Sequence, residues 1–117
     1  MSRGLADTSV FIARETARDL DTESLPDELA VSAITIGELR VGVLAAADTA
    51  TRDRRLSTLT AALLLQPVPI DDSVAASCAR LRILLRDSGL RMPVNDSWIA
   101  ATAIALGVPR SASGYAG

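Results

Sequence analysis

Apolar and polar positions along this chain fall into blocks that alternate between strand-like runs and helix-like periods. Gly4–Ala6 is a short apolar run that stops at Asp7 and predicts a first strand. Over 8–18, Val10, Phe11 and Ile12 are apolar while Arg14, Glu15 and Arg18 are polar, which predicts a helix that Thr8 or Ser9 could cap. Residues 19–28 are acidic, contain Pro26 and read as a loop. Leu29–Ile34, rich in Val and Ile, predicts a second, buried strand. Two helices follow, over about 35–47 and 49–65. In the second, Leu56, Leu59 and Leu63 recur at helical spacing opposite Arg52, Arg54 and Arg55. Pro67–Ile70 reads as a short extended piece. Asp71 or Asp72 then starts a helix over 72–88, in which Val74, Cys78, Leu81 and Leu85 form an apolar stripe and Ser88-Gly89 is the stop. A last helix, capped by Asn95 or Asp96, runs to Leu106 and ends at Gly107.

Strands alternating with helices predict an α/β fold around a parallel sheet. At 117 residues and 49% apolar content, one domain with its own core is expected. The expected domain spans residues 1–109, and 110–117 reads as an irregular tail. Aromatics are only 3%, so Ala, Leu, Val and Ile build the core, and stacking platforms for single-stranded bases are essentially absent. No apolar run is long enough for a membrane span, and no signal-peptide pattern is present, so a cytoplasmic protein is expected.

The missing residue types narrow the chemistry. The chain has no His and no Lys, and all twelve basic residues are Arg. Absence of His removes Ser-His-Asp and Cys-His mechanisms, and absence of Lys removes a P-loop. A receiver-type phosphoacceptor or a haloacid-dehalogenase-type phosphatase would also need a Lys. The single Cys78 lies in an apolar stripe and reads as a buried structural thiol. A net charge of −2 argues against a generic nucleic-acid binder but not against an enzyme that meets phosphates through metal and local Arg clusters.

What remains is acidic. Asp7, Glu38 and Asp96 each lie where an apolar segment gives way to a helix. In an open α/β fold those junctions converge on one rim, the usual place for ligands. Asp7 and Asp96 equally suit helix N-caps. Glu38 is harder to explain as a bystander, since its turn contains Ile34, Thr35, Val41 and Gly42. Crowded carboxylates repel one another, and a divalent cation relieves the repulsion. Oxygen-only ligands point to Mg²⁺, with Mn²⁺ as substitute, rather than Zn²⁺. Such a site suits phosphodiester hydrolysis. Asp71 and Asp72 read as helix caps. Arg40, the group Arg52, Arg54 and Arg55, and the group Arg80, Arg82, Arg86 and Arg91 are candidate phosphate contacts or plain solvated positions. Trp98 reads as core or interface.

The segments Leu5-Ala6-Asp7-Thr8-Ser9-Val10-Phe11, Val31–Gly42 and Asn95–Ala103 resemble the PIN-domain ribonucleases, and within them the VapC-type toxins of bacterial toxin–antitoxin pairs. The resemblance covers about residues 3–109. It implies a PIN-like α/β/α sandwich and a Mg²⁺-dependent endoribonuclease. It also implies a VapB-type antitoxin that blocks the active site, and a homodimer. Carried over, Asp7, Glu38 and Asp96 are the catalytic and metal-binding acids, and the hydroxyls of Thr8 and Ser9 would orient Asp7 or a water.

The resemblance breaks at the C-terminal end. Members of the family continue after the segment matching Ala105–Pro109 with another strand, a motif bringing a fourth acid, and a last strand. Here residues 110–117 read Arg-Ser-Ala-Ser-Gly-Tyr-Ala-Gly and contain no carboxylate. The expectation is an exposed edge on the strand bearing Asp7 and a weakened metal site. The alternative functional expectation is a truncated, catalytically impaired toxin that still binds its antitoxin.

Overall fold

The computed structural model describes residues 2–16 and 27–111. Their elements are β1 (Arg3–Ala6), α1 (Thr8–Glu15), β2 (Glu28–Val31), α2 (Ala33–Leu44), α3 (Thr49–Leu63), α4 (Asp72–Asp87), α5 (Val94–Leu106) and β3 (Arg110–Ser111). The three strands form a parallel sheet in the order β2-β1-β3. β1 is therefore central, with neighbours on both sides. The connection direction reverses at its C-terminal end, which is the topological switch point where α/β sheets bind ligands.

Strand periodicity splits the core into two layers. Ala6 packs with Val10, Phe11, Val31, Ile36, Leu39, Leu59 and Ala62 on one face of the sheet. Leu5, its neighbour in β1, packs with Ile99 and Ala103 of α5 on the other, because successive strand side chains point to opposite faces. The register pairs Leu5 with Ala30 and Ala6 with Val31, so β2 alternates in step with β1. α4 backs α5 through a third cluster of Val74, Cys78 and Ala101, with Trp98 partly buried against it. Cys78 is the buried thiol expected from the sequence.

Several boundaries differ from the sequence reading, each for a local reason. The second strand stops at Val31, three residues early. Ser32 turns the chain and caps α2, its hydroxyl accepting the Ile34 N–H at 3.0 Å. The β-branched run through Ile34 and Ile36 is thus split between strand and helix. Asp7, rather than Thr8 or Ser9, is the N-cap of α1. α1 ends at Glu15; residues 17 and 18, and most of the loop read over 19–28, lie outside the described residues. Asp71 caps α4 as expected, accepting the Val74 N–H at 2.9 Å. α5 is capped by neither Asn95 nor Asp96: it starts at Val94 after Pro93, with no side-chain cap.

The largest departure is at the C-terminal end. Arg110 and Ser111, read from the sequence as part of an irregular tail, form β3 and pair with Leu5 and Ala6. Leu5 N–H bonds to the Pro109 carbonyl at 2.9 Å and Asp7 N–H to the Ser111 carbonyl at 2.7 Å. The expected open edge of β1 is closed along its C-terminal half. Extended backbone beside an unpaired strand edge gains ladder hydrogen bonds regardless of side-chain identity, so the composition of this stretch did not reveal it. Residues 112–117 lie outside the described residues.

Candidate active site

All three acids reach the rim at the C-terminal end of β1, each from a different element. Asp7 follows β1 directly. Its Oδ1 accepts the Thr8 N–H at 2.9 Å and its Oδ2 accepts the Ser9 hydroxyl at 3.1 Å. Capping does not withdraw Asp7 from the rim, since the Oδ1 that accepts the Thr8 N–H also meets Arg110.

Glu38 comes from α2 and is fixed by hydroxyls. Thr8 Oγ1 donates to Glu38 Oε1 at 2.7 Å and lies 3.1 Å from Thr35 Oγ1. A threonine hydroxyl has one proton. Since Thr8 gives its proton to Glu38, the buried Thr35 is the donor to Thr8. Thr35 and Glu38 are three residues apart and share a helix face, which is why both meet α1. The sequence reading assigned the Thr8 hydroxyl to Asp7 or a water. The structure gives that task to Ser9 and sends Thr8 to Glu38. Thr35 was missed; its only sequence signal was a polar residue one turn before Glu38 in an apolar segment.

Asp96 lies in the first turn of α5. Because Pro93 takes the cap position, the Asp96 carboxylate is not spent on capping. It faces Arg110, the second residue that sequence reading missed as part of the site. Arg110 Nη2 is 2.7 Å from Asp7 Oδ1 and 3.2 Å from Asp96 Oδ1, and Nη1 is 3.4 Å from the Asp96 carbonyl. Burial alone would lower the Arg110 pKa, but hydrogen bonds and charge from Asp7 and then Asp96 outweigh it and raise the value above that of a free guanidinium.

The donor chemistry, three carboxylates without nitrogen or sulfur ligands, suits a hard divalent cation. The arrangement as it stands does not. Among the described residues no three His, Cys, Asp or Glu side chains are grouped so as to hold one metal ion. Glu38 accepts the Thr8 hydroxyl, and a guanidinium lies between Asp7 and Asp96.

The Arg candidates divide. Arg55 is structural: its Nη1 donates to the Gly42 carbonyl at 2.7 Å and its Nε lies 3.6 Å from Glu15 Oε1, tying α3 to α2 and α1. Arg54 donates to Thr51 and Arg80 to Ser77, while Arg40 and Arg52 are exposed. Arg82 stacks over Trp98 with its guanidinium carbon 5.4 Å from the ring centroid, so Trp98 is a packing residue with a cation on its face. Arg82, Arg86 and Arg91 line a groove of about 550 Å³ that reaches Ser97, next to Asp96. On the other flank, Glu38 lines a cleft of about 240 Å³ with Thr8, Glu15 and Arg55. No helix among the described residues is long and apolar enough to cross a membrane.

A family model for the PIN domain matches residues 5–110, and the chain belongs to the PIN-domain family. Within that family its relatives are VapC proteins. Ribonuclease VapC5 of Mycobacterium tuberculosis is 50% identical over 106 residues, covering 91% of this chain and 78% of the relative. Ribonuclease VapC4 of the same organism is 48% identical over 106 residues, covering 91% and 82%. A crystal structure of a VapBC toxin–antitoxin family member from M. tuberculosis superposes with a TM-score of 0.86 at 46% identity, over 94% of this chain and 83% of that one. The fold also matches VapBC2 of Rickettsia felis, solved on a promoter DNA fragment, with a TM-score of 0.78 at 22% identity over 92% and 85%.

Proposed function

We propose that this chain is an endoribonuclease toxin of a VapBC-type toxin–antitoxin pair, with Asp7, Glu38 and Asp96 as its catalytic centre. The observation that supports this reading is that Asp7, at the end of β1, shares Arg110 with Asp96 of α5, while its neighbour Thr8 donates to Glu38 of α2, in a chain whose relatives include VapC ribonucleases. The substrate is RNA and the reaction is hydrolysis of a phosphodiester bond. The groove lined by Arg82, Arg86 and Arg91 supports the substrate assignment, since it offers charge that phosphates can meet.

Mg²⁺, or Mn²⁺ in its place, would be held by the carboxylates of Asp7, Glu38 and Asp96, with Arg110 displaced from Asp7 and Asp96. When bound, the ion would supply positive charge against the phosphate and make a water more acidic. The chain's own residues do the positioning. Ser9 and the Thr8 N–H orient Asp7, Thr8 and Thr35 orient Glu38, and Pro93, at the cap position, keeps the Asp96 carboxylate out of capping. The VapB-type antitoxin and a second copy of the chain are the expected protein partners.

The test is cleavage of RNA by the purified protein. Cleavage is expected with Mg²⁺ or Mn²⁺, to stop with EDTA, and to fall at least about 100-fold in Asp7→Asn, Glu38→Gln and Asp96→Asn, because each removes a carboxylate that would hold the ion set against transition-state charge. Cleavage that survives EDTA and all three substitutions overturns the reading. A second reading, an impaired toxin that still binds its antitoxin, is favoured by one observation, the guanidinium across Asp7 and Asp96. Co-purification with a VapB-type protein, with no toxicity on expression, distinguishes it.

A further inference from the structure

β3 brings a positive charge to the acids. Pairing with β1 fixes the backbone of Arg110 opposite Leu5, two residues before Asp7. From there one nitrogen, Nη2, reaches both Asp7 Oδ1 and Asp96 Oδ1, at 2.7 and 3.2 Å. The side chain is only 27% exposed, so solvent screens the contact less than it would a surface ion pair. A guanidinium keeps its charge at every working pH, so the bridge is present whenever the acids are ionised.

Arg110 and a divalent cation need the same atoms. A hard cation binds carboxylate oxygen directly, and Asp7 Oδ1 and Asp96 Oδ1 are the oxygens the guanidinium covers. The other Asp7 oxygen already accepts the Ser9 hydroxyl. A cation placed against both carboxylates would also stand next to the Arg110 charge, which costs energy until the side chain moves.

We propose that Arg110 is a built-in competitor for the metal: its guanidinium bridges Asp7 and Asp96, and a divalent ion binds only as that side chain is displaced. The inference rests on the reading of the three acids as a metal site, and it makes residue 110 an autoinhibitory contact within the chain itself.

The decisive measurement is Mn²⁺ binding to the full chain by electron paramagnetic resonance, without RNA. Arg110→Gln is expected to bind Mn²⁺ about tenfold or more tightly than the parent protein, because a unit positive charge has left the site. Arg110→Lys, which keeps the charge, is expected to stay near the parent value. Adding Asp96→Asn to Arg110→Gln should reverse the gain. The proposal is overturned if Arg110→Gln binds no more tightly than the parent while Asp96→Asn still weakens its binding, since the acids then hold metal without competition. If no variant binds Mn²⁺ through these acids, the metal reading fails, and this inference with it. Should Arg110→Gln not fold, nitrogen-15 NMR of the parent protein decides. Saturating Mg²⁺ is expected to shift the Arg110 side-chain signal, and an unmoved signal in a metal-loaded protein overturns the proposal.

Discussion

The two flanks of the rim hold their acids by opposite means. On the α2 flank, neutral hydroxyls do it: Thr35 donates to Thr8, and Thr8 to Glu38. On the β3 flank a full charge does it, with Arg110 spanning Asp7 and Asp96. A hydroxyl that donates one hydrogen bond aims a carboxylate and leaves its negative charge in place. A guanidinium aims two carboxylates and neutralises much of the charge that would attract a cation. The first arrangement leaves one acid aimed and charged; the second aims two and offsets their charge. Both depend on β1, whose end carries Asp7 and whose edge holds β3.

The largest expected effect comes from removing that common support. Leu5 is fully buried against Ile99 and Ala103. Leu5→Ala should cost about 2–5 kcal/mol of stability. Denaturant unfolding would measure it, and a loss within error of zero would mean that β1 is not the platform for both flanks.

Next comes the hydroxyl flank alone. Thr8→Val deletes the donor to Glu38 while keeping the side chain's shape. A hydrogen bond to a charged acceptor is worth about 1.5–3 kcal/mol. Cleavage should fall about tenfold or more if that energy is spent on positioning Glu38. Thr8→Ser should restore most of the rate. A rate restored equally by valine would show that the hydroxyl chain is structural decoration, and the contrast between the flanks would lapse.

The smallest effect tests hydrogen bonding to a carboxylate away from the rim. Asp48, the N-cap of α3, accepts the backbone N–H and then the hydroxyl of Thr51, which together hold its pKa below the ordinary carboxylate value. A depressed folded pKa adds stability above the unfolded value, and that stability disappears as pH falls through the folded value. The difference in thermal midpoint between the parent and Asp48→Ala should therefore be present at neutral pH and shrink in acid. A difference that grows on acidification would contradict the sign.

Much of this was legible along the chain because helices announce themselves locally. The stripe of Val74 and Cys78, the Asp71 cap and the Gly107 stop at positive φ each require only neighbours within a turn or two. The strands were less legible. β2 is four residues long and runs into β-branched residues that belong to α2, so periodicity could not mark the join at Ser32. The candidate acids were picked by type and position, since a carboxylate at an apolar junction needs a reason. Their partners were not. Thr35 looked like one more polar residue on a helix, and Arg110 like the first residue of a featureless tail.

Fold class and family were legible in the sequence, and it offered three candidate acids, because composition, local periodicity and residue type are properties of short segments. Only the tertiary structure decided what those acids face. Thr8 meets Glu38 across 30 positions, and Arg110 meets Asp7 across 103. No local pattern encodes contacts at that separation. They exist because the sheet places β3 beside β1, and that pairing is made by backbone groups every residue carries.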